Sequence, residues 1–333
     1  MHTYIIAEAG VNHNGRLDLA LKLCDAAKEA GVDAVKFQTW KTENIVTANA
    51  RQAAYQTENT GIEESQFDML KKLEMSYEHF KLIQEHCHKI GIEFLSTPDE
   101  EESLEFLMNE LNLPLIKVSS GEVTNLPFLR KMGAYRKPVI LSTGMSTMAQ
   151  SALAYDTLMQ AGASGVSVLH CTTNYPCPMD EVNLKAMVTL RNALKCKVGY
   201  SDHTMGIEVP VAAVALGAEI IEKHFTLDRT MEGPDHKASL EPDELKLMVQ
   251  QIRNIEKALG DGVKQPNKSE AENAKVVQKS ILARVPIRKG TVLTEELLTV
   301  KRAGEGITAN HWDIVVGTHA TKDYNVDEPI ELY

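Results

Sequence analysis

Val198-Gly199-Tyr200-Ser201-Asp202-His203-Thr204 and Ile220-Ile221-Glu222-Lys223-His224-Phe225-Thr226 are the two stretches from which the fold of this chain is read. Each opens on a short apolar run of strand character and closes on polar residues, with one histidine just past the run. Between them, Gly206 to Gly217 bracket an Ala/Val-rich segment long enough for one helix. Strand, helix, strand is the unit of a parallel sheet. Polar residues at the carboxyl ends of neighbouring parallel strands face one crevice. His203 and His224 are therefore expected side by side, with Glu222 and Asp202 near them. Two neutral imidazoles so placed suit a borderline divalent ion such as Mn, Fe, Co or Zn; two hydrogen-bonded structural histidines are the alternative.

Outward from this pair the pattern repeats. Short apolar runs occur at Tyr4–Ala7, Ala34–Phe37, Ile92–Leu95, Leu115–Val118, Pro138–Leu141, Val166–Leu169, Val198–Tyr200 and Glu219–Glu222. Helical periodicity fills the intervals over Leu17 to Ala30, Tyr77 to Ile90, Asp99 to Asn112, Ala149 to Ala161 and Asn183 to Leu194, and again over Asp243 to Leu259. Alternation of this kind over roughly 260 residues predicts a (β/α)8 TIM barrel. An open doubly wound sheet competes, but it characteristically opens on G-x-G-x-x-G, and the first turn here is Glu8-Ala9-Gly10-Val11-Asn12-His13-Asn14-Gly15. The second connection, Gln38 to about Gln66, is long and polar and carries Tyr55-Gln56-Thr57-Glu58-Asn59-Thr60-Gly61. A long loop on the carboxyl side of a barrel is expected at the active site, with a mobile surface excursion as the alternative.

After Leu259-Gly260-Asp261-Gly262 the texture changes. Residues 1–262 read as the barrel, 263–278 as a polar linker, and 279–333 as a small, mostly β domain with short strands at Ser280–Val285, Leu298–Val300 and Asp327–Leu332. A domain of that size buries little core alone and is expected to pack on a barrel, its own or a neighbour's. The chain has 333 residues and a net charge of −11, which argues against nucleic acid or an anionic membrane as the main partner. Five cysteines, an odd number without a C-x-x-C pair, read as reduced thiols in a cytoplasm. No signal peptide is expected, because His2-Thr3-Tyr4-Ile5-Ile6 starts a strand at once, and no apolar run has the length of a membrane helix.

The residues just past the runs carry the chemistry: Glu8, Lys36 with Gln38, Thr97, Lys117 with Ser120, Ser142, and the Cys171-Thr172-Thr173-Asn174-Tyr175 turn, then Ser201 and Glu222. Lys36 and Lys117 within a ring of hydroxyls from Thr97, Ser120, Ser142 and Ser201 form an anion pocket for a small phosphorylated or carboxylated substrate. Each lysine could instead pair with a structural glutamate, or act as a Schiff-base nucleophile. The serines could cap the following helices. Asp235, in Gly233-Pro234-Asp235-His236, could hold a sugar hydroxyl or move a proton. His13 reads as a structural turn residue, and Cys171 as packing.

Taken together, Ala7-Glu8-Ala9-Gly10-Val11-Asn12-His13-Asn14-Gly15, Val35-Lys36-Phe37-Gln38-Thr39, Ser96-Thr97-Pro98, Ser119-Ser120-Gly121-Glu122, Ser142-Thr143-Gly144-Met145, Tyr200-Ser201-Asp202-His203-Thr204, Glu222-Lys223-His224-Phe225-Thr226 and Gly233-Pro234-Asp235-His236 closely resemble the sialic acid synthase family. Val300-Lys301-Arg302-Ala303-Gly304-Glu305-Gly306-Ile307 is similar to that family's antifreeze-like (SAF) domain. The resemblance implies condensation of phosphoenolpyruvate with an N-acetylated mannose-type sugar and water, with release of phosphate by C–O cleavage and use of a divalent metal, usually manganese. It implies His203 and His224 as metal ligands, and Lys36, Thr97, Lys117, Ser120, Ser142 and Ser201 as phosphoenolpyruvate contacts. Glu8, Gln38, Tyr175 and Asp235 would contact the sugar, and Glu222 is the first candidate for proton transfer, with Glu8 and Asp235 as alternates. Arg302 matches an arginine that the family's SAF domain delivers to a partner subunit, which implies a domain-swapped homodimer. Thr173 departs from members with Asn there, which leaves one phosphate contact open. N-acetylmannosamine, giving N-acetylneuraminate, is the expected acceptor. The alternative is a 2,4-diacetamido-trideoxymannose giving N,N'-diacetyllegionaminate, with a Schiff-base pyruvate aldolase and a carbohydrate-binding protein as rivals from other classes.

Overall fold

The computed structural model describes residues 2–333, except the side chains of Ala54, Tyr55 and Glu58, so Tyr55 of the second connection lies outside the described residues. The chain divides into two units, Met1–Gly260 and Asp261–Tyr333. The first contains parallel strands β1 (Tyr4–Gly10), β2 (Ala34–Thr39), β3 (Glu93–Pro98), β4 (Ile116–Val118), β5 (Pro138–Ser142), β6 (Gly165–Cys171), β7 (Val198–Asp202) and β8 (Ile220–His224). They are hydrogen-bonded in the order β3-β2-β1-β8-β7-β6-β5-β4. The short β4 ladders only with β5, and β3 and β4 meet by packing. The result is the TIM-barrel-like sheet that the alternation predicted.

Helices cover its outside. They are α1 (Leu17–Ala30), α2 (Thr42–Ile45), α3 (Ala54–Thr60), α4 (Gln66–Leu73), α5 (Tyr77–Ile90), α6 (Glu101–Glu105), α7 (Leu126–Ala134), α8 (Met148–Ala161), α9 (Lys185–Leu194), α10 (Glu208–Ala215) and α11 (Pro242–Ala258). The bounds of α1 and α5 coincide with the periodic segments because each stops at a glycine in the left-handed region, Gly31 at φ 81° and Gly91 at φ 73°. The second connection is not an open loop, since α2, α3 and the start of α4 occupy it. The predicted helix over 99–112 is short and continues as a π turn at Phe106–Glu110.

No helix was expected between the fourth and fifth strands, where α7 stands. Asn125 caps it by accepting from the Phe128 N–H, and Pro127 sits in the first turn, where no N–H is required. Gly133 lets α7 approach α8: a Cβ there would stand 2.6 Å from the Ala161 Cβ and 2.7 Å from the Leu158 carbonyl oxygen. A proline and a glycine that look like breakers are therefore an N-terminus and a packing contact.

The second unit has its own small core, in which Ile281, Ala283, Leu293, Leu298, Val315 and Ile330 are buried. The antiparallel pair β9 (Ser280–Ala283) and β10 (Leu298–Lys301) is extended by isolated bridges such as Ile287 to Tyr324 and Leu282 to Pro329. The predicted linker holds a helix, α12 (Lys268–Val277), under an Asn267/Glu270 capping box. None of its residues is buried, so the segment shows no apolar face from which a helix could be read. A final short helix, α13 (Trp312–Val315), packs by Val315. Among the described residues no helix is long and apolar enough to cross a membrane, and all five cysteines are free.

Candidate active site

Strand alternation builds the site in layers. Ile6, Ala34, Leu95, Ile140, Leu169 and Ile220 form one apolar cluster. Side chains two residues apart on a strand share a face. One step along each strand brings Glu8, Lys36, Thr97, Ser142, Cys171 and Glu222, and the next brings Gln38, Asp99, Thr173 and His224. All ten line one cavity of about 350 Å³, with Lys117, Ser120, Tyr175, Ser201 and His203. The cavity thus collects every predicted site residue except Asp235 and Arg302. Asp235 stands next to it, its Oδ2 3.7 Å from His224 Nδ1. Arg302 is exposed in the second unit, one residue past β10.

Glu222 organises the charge. Its Oε1 lies 3.5 Å from Lys117 Nζ and accepts from Ser201 Oγ at 3.0 Å, while Oε2 lies 3.7 Å from Lys36 Nζ. Lys36 is 2.8 Å from Glu8 Oε2 and donates to Thr97 Oγ1 at 3.0 Å. Lys117 donates to Ser142 Oγ at 2.7 Å. Gln38 Nε2 donates to the other oxygen of Glu8 at 3.0 Å. Burial pushes Glu222 upward, but Lys117 and Lys36 outweigh it and hold the carboxylate at about 2. Glu8 rises to about 6 because burial, reinforced by Glu222, exceeds the help from Lys36. The lysines split likewise: burial is overcome at Lys36 by Glu222 and Glu8, which raise it, but prevails at Lys117, which is lowered. The serines do not cap helices here: Ser142 and Ser201 hydroxyls engage Lys117 and Glu222.

Three buried polar atoms of this cavity have no hydrogen-bond partner: Thr173 Oγ1, Glu222 Oε2 and His224 Nδ1. Buried polar groups are normally satisfied, so a cluster of unsatisfied ones marks where a ligand supplies the missing contacts. Gly144 is required beside them, since a Cβ would stand 2.1 Å from Thr173 Oγ1.

The two histidines meet as the spacing predicted, with ring centroids 5.3 Å apart, and Tyr175 lies over His203 at 4.0 Å. His203 Nδ1 donates to the Thr172 carbonyl at 2.6 Å, which leaves Nε2 with its lone pair. Burial lowers His203 to about 4 and His224 well below its ordinary value, so both rings are neutral. Neutral, buried and oriented imidazoles fit a divalent ion. Among the described residues no group of three or more His, Cys, Asp or Glu is placed to hold one. A metal here would take two protein ligands and draw the remainder from substrate or water.

Asp202 is near His203, whose charge it favours, but its carboxylate belongs to another layer. Alternation turns it away from the histidines, onto the outer face, where it lies 2.5 Å from Lys223 Nζ; both side chains are fully buried. Lys223 also donates to the Thr204 carbonyl. His13 is buried and accepts at Nδ1 from the Gly15 N–H, as a structural turn residue does. The sequence reading missed Asp99 and Gln66, both of which line the cavity. Asp99 is the next inward position after Leu95 and Thr97, so the period-two signal was present beyond Pro98. Nothing comparable marked Gln66. Asn59 in α3 donates to the carbonyls of Tyr175 and Pro234, at 3.1 and 2.7 Å, and ties the second connection to the turns after β6 and β8.

A mouth in which buried lysines face unsatisfied polar atoms beside a neutral histidine pair is that of a barrel enzyme acting on a small anion. The NeuB family matches residues 23–264 and the SAF domain residues 278–331, and the chain belongs to the NeuB family. It is 51% identical over 98% of its length, and 98% of the relative's, to N,N'-diacetyllegionaminic acid synthase of Campylobacter jejuni. It is 37% identical to human N-acetylneuraminate-9-phosphate synthase, covering 90% of this chain and 82% of that one. Among solved structures, N-acetylneuraminic acid synthetase of Leptospira borgpetersenii aligns with a TM-score of 0.73 at 35% identity, covering 83% of this chain and 91% of that one.

Proposed function

We propose that this protein condenses phosphoenolpyruvate with a 2,4-diacetamido-2,4,6-trideoxymannose and water, giving N,N'-diacetyllegionaminate and phosphate. One observation carries the reaction class: Lys36 and Lys117, each tied to a hydroxyl, share a cavity with the neutral His203 and His224 and with unsatisfied Glu222 and Thr173 atoms. The choice of sugar rests on relatives. Legionaminic acid synthases of Campylobacter jejuni and Legionella pneumophila are 51% and 45% identical, against 37% for the human N-acetylneuraminate-9-phosphate synthase. This moves the reading from N-acetylmannosamine, the expected acceptor, to its alternative.

In this reading Lys36, Lys117, Thr97, Ser120 and Ser142 hold the phosphate and carboxylate, and Thr173 offers a hydroxyl where other members carry an amide. A divalent ion on His203 and His224, manganese in the family resemblance, would polarise the sugar aldehyde. Glu222, kept ionised between the lysines, takes a proton from the water that adds at C2 and returns it to the oxygen of the former aldehyde, and Ser201 orients it. Glu8 and Gln38, bonded to one another, meet the sugar together with Tyr175 and Asp235. We assign the reaction to the cytoplasm, with its cysteines reduced, and to a homodimer in which Arg302 serves a partner subunit.

The test is phosphate release from phosphoenolpyruvate with manganese, comparing the diacetamido sugar with N-acetylmannosamine before and after chelation. Metal-dependent release that is faster with the diacetamido sugar supports the proposal. Release with N-acetylmannosamine alone returns the protein to the N-acetylneuraminate branch. Lowered Lys117 favours one rival, a Schiff-base aldolase; borohydride inactivation in the presence of pyruvate, without metal dependence, would establish that instead.

A further inference from the structure

Asp99 lines the cavity and has no role in the proposed reaction. It follows Leu95 and Thr97 on the inward face of β3 and is half-buried. On one side it bounds the cavity that holds Lys36 and Lys117; on the other it bounds an outer groove of about 740 Å³. Among the described residues no hydrogen bond engages its carboxylate, and its neighbours act through space. Lys36 on β2 and Lys117 on β4 favour its charge, whereas Glu8 on β1 and Glu122 after β4 oppose it. The groove adds the acids Glu43 from α2 and Glu101, Glu102 and Glu105 from α6, with the neutral Asn44, Asn125 and Phe128. Glu100 is occupied in capping α6. Both lysines are already engaged by Glu222, and Lys36 by Glu8 as well. Removal from water is the largest influence on Asp99, and it brings the group up to about 7.

A polyanion placed on Lys36 and Lys117 thus takes up the two charges that favour an ionised Asp99 and is brought against its carboxyl. An ionised carboxyl has only lone pairs to offer it, while a protonated one has an O–H. We infer that Asp99 takes one proton from solvent when the anionic substrate enters the Lys36–Lys117 pocket and then acts as a neutral hydrogen-bond donor there. This inference rests on the reading of phosphoenolpyruvate as that substrate. Asp99 so placed sets the upper pH limit of substrate binding and leaves the carbon chemistry to Glu222.

Calorimetric titration of phosphoenolpyruvate alone, with manganese present and no sugar, tests this in wild type, Asp99→Asn and Asp99→Ser. Two buffers of different ionisation enthalpy count the protons exchanged. Above about pH 7 the ligand's own phosphate is already ionised, so uptake there reports on the protein. Wild type should take up close to one proton per ligand, with Kd rising about tenfold per pH unit between about pH 7.5 and 8.5. Both variants, which cannot ionise at this position, should take up about one proton fewer and hold a flat Kd over that range. Equal uptake and equal slopes in all three proteins would overturn the inference while leaving phosphoenolpyruvate binding established. Absence of binding in all three at every pH would overturn the substrate reading, and the inference with it.

Discussion

Replacing Glu222 by Gln tests the centre of the site. The carboxylate faces Lys117 Nζ at 3.5 Å and Lys36 Nζ at 3.7 Å. At an effective dielectric of about 20, each of these contacts is worth roughly 5 kcal/mol before desolvation. Returning a buried carboxylate to water offsets part of this, and removing one member of a buried ion network typically leaves a loss of about 3–5 kcal/mol. The amide keeps the shape and can still accept from Ser201, so the loss reports charge. Scanning fluorimetry should show a midpoint lower by about 6–20 °C, at roughly 2–4 °C per kcal/mol for a unit of this size. Saturating phosphoenolpyruvate should restore part of it, because the ligand supplies the missing negative charge. In phosphate-release kinetics kcat should fall by about 10²–10⁴, the usual worth of a positioned acid or base. KM for phosphoenolpyruvate should stay constant or fall, since an anion then meets two uncompensated ammonium groups. A kcat within about threefold of wild type alongside the lowered midpoint would reduce Glu222 to a counterion. An unchanged midpoint would refute the electrostatic argument itself.

His203→Ala and His224→Ala should each lower manganese bound per chain, measured by equilibrium dialysis, and abolish phosphate release. Lys223→Met leaves Asp202 fully buried without its ammonium, and urea unfolding should show a loss of about 3–5 kcal/mol. His13 is buried and held at about 4 by burial and by His236. Its folded value lies below the unfolded one, so its contribution is complete above about pH 6.5 and is lost as pH falls toward about 4. His13→Gln should therefore shrink the stability lost between about pH 7 and 5 in urea titrations, and an unchanged loss would count against it. The Arg302 assignment is checked by mixing His203→Ala protein with Arg302→Ala protein: a shared site regains part of the activity, and no recovery removes the assignment.

How much of this was legible followed from where a local signal existed. The strands and the ends of α1 and α5 were readable because apolar runs and left-handed glycines are local. The helix α7 was not, since Pro127 and Gly133 take their meaning from a cap and from a neighbouring helix. Site residues were readable as a set because each strand end carries its polar group in order. What a list of strand ends lacks is the face. Asp202 sits in the same seven-residue stretch as Ser201 and His203 yet belongs to the outer layer, paired with Lys223. Asp99 lies past a proline that looks like the end of a strand, yet it continues the inward series from Leu95 and Thr97.

That alternation also explains why neighbouring residues of like chemistry do different work here. In Ile220-Ile221-Glu222-Lys223-His224 the even positions point into the barrel, Ile220 to its apolar cluster and Glu222 and His224 to the cavity, and the odd ones lie on the outer face. Lys223 is held on the outer face by Asp202, while Glu222 draws its cations from β2 and β4. The two ion networks share a strand but no side chain. A structural lesion at Lys223 and a chemical one at Glu222 should therefore separate cleanly: Lys223→Met should lower stability with kcat preserved in the folded protein, and Glu222→Gln should lower both. Loss of kcat in folded Lys223→Met, in proportion to that in Glu222→Gln, would mean that the outer pair sets the inner geometry through the backbone of β8, and the layers could no longer be treated as independent.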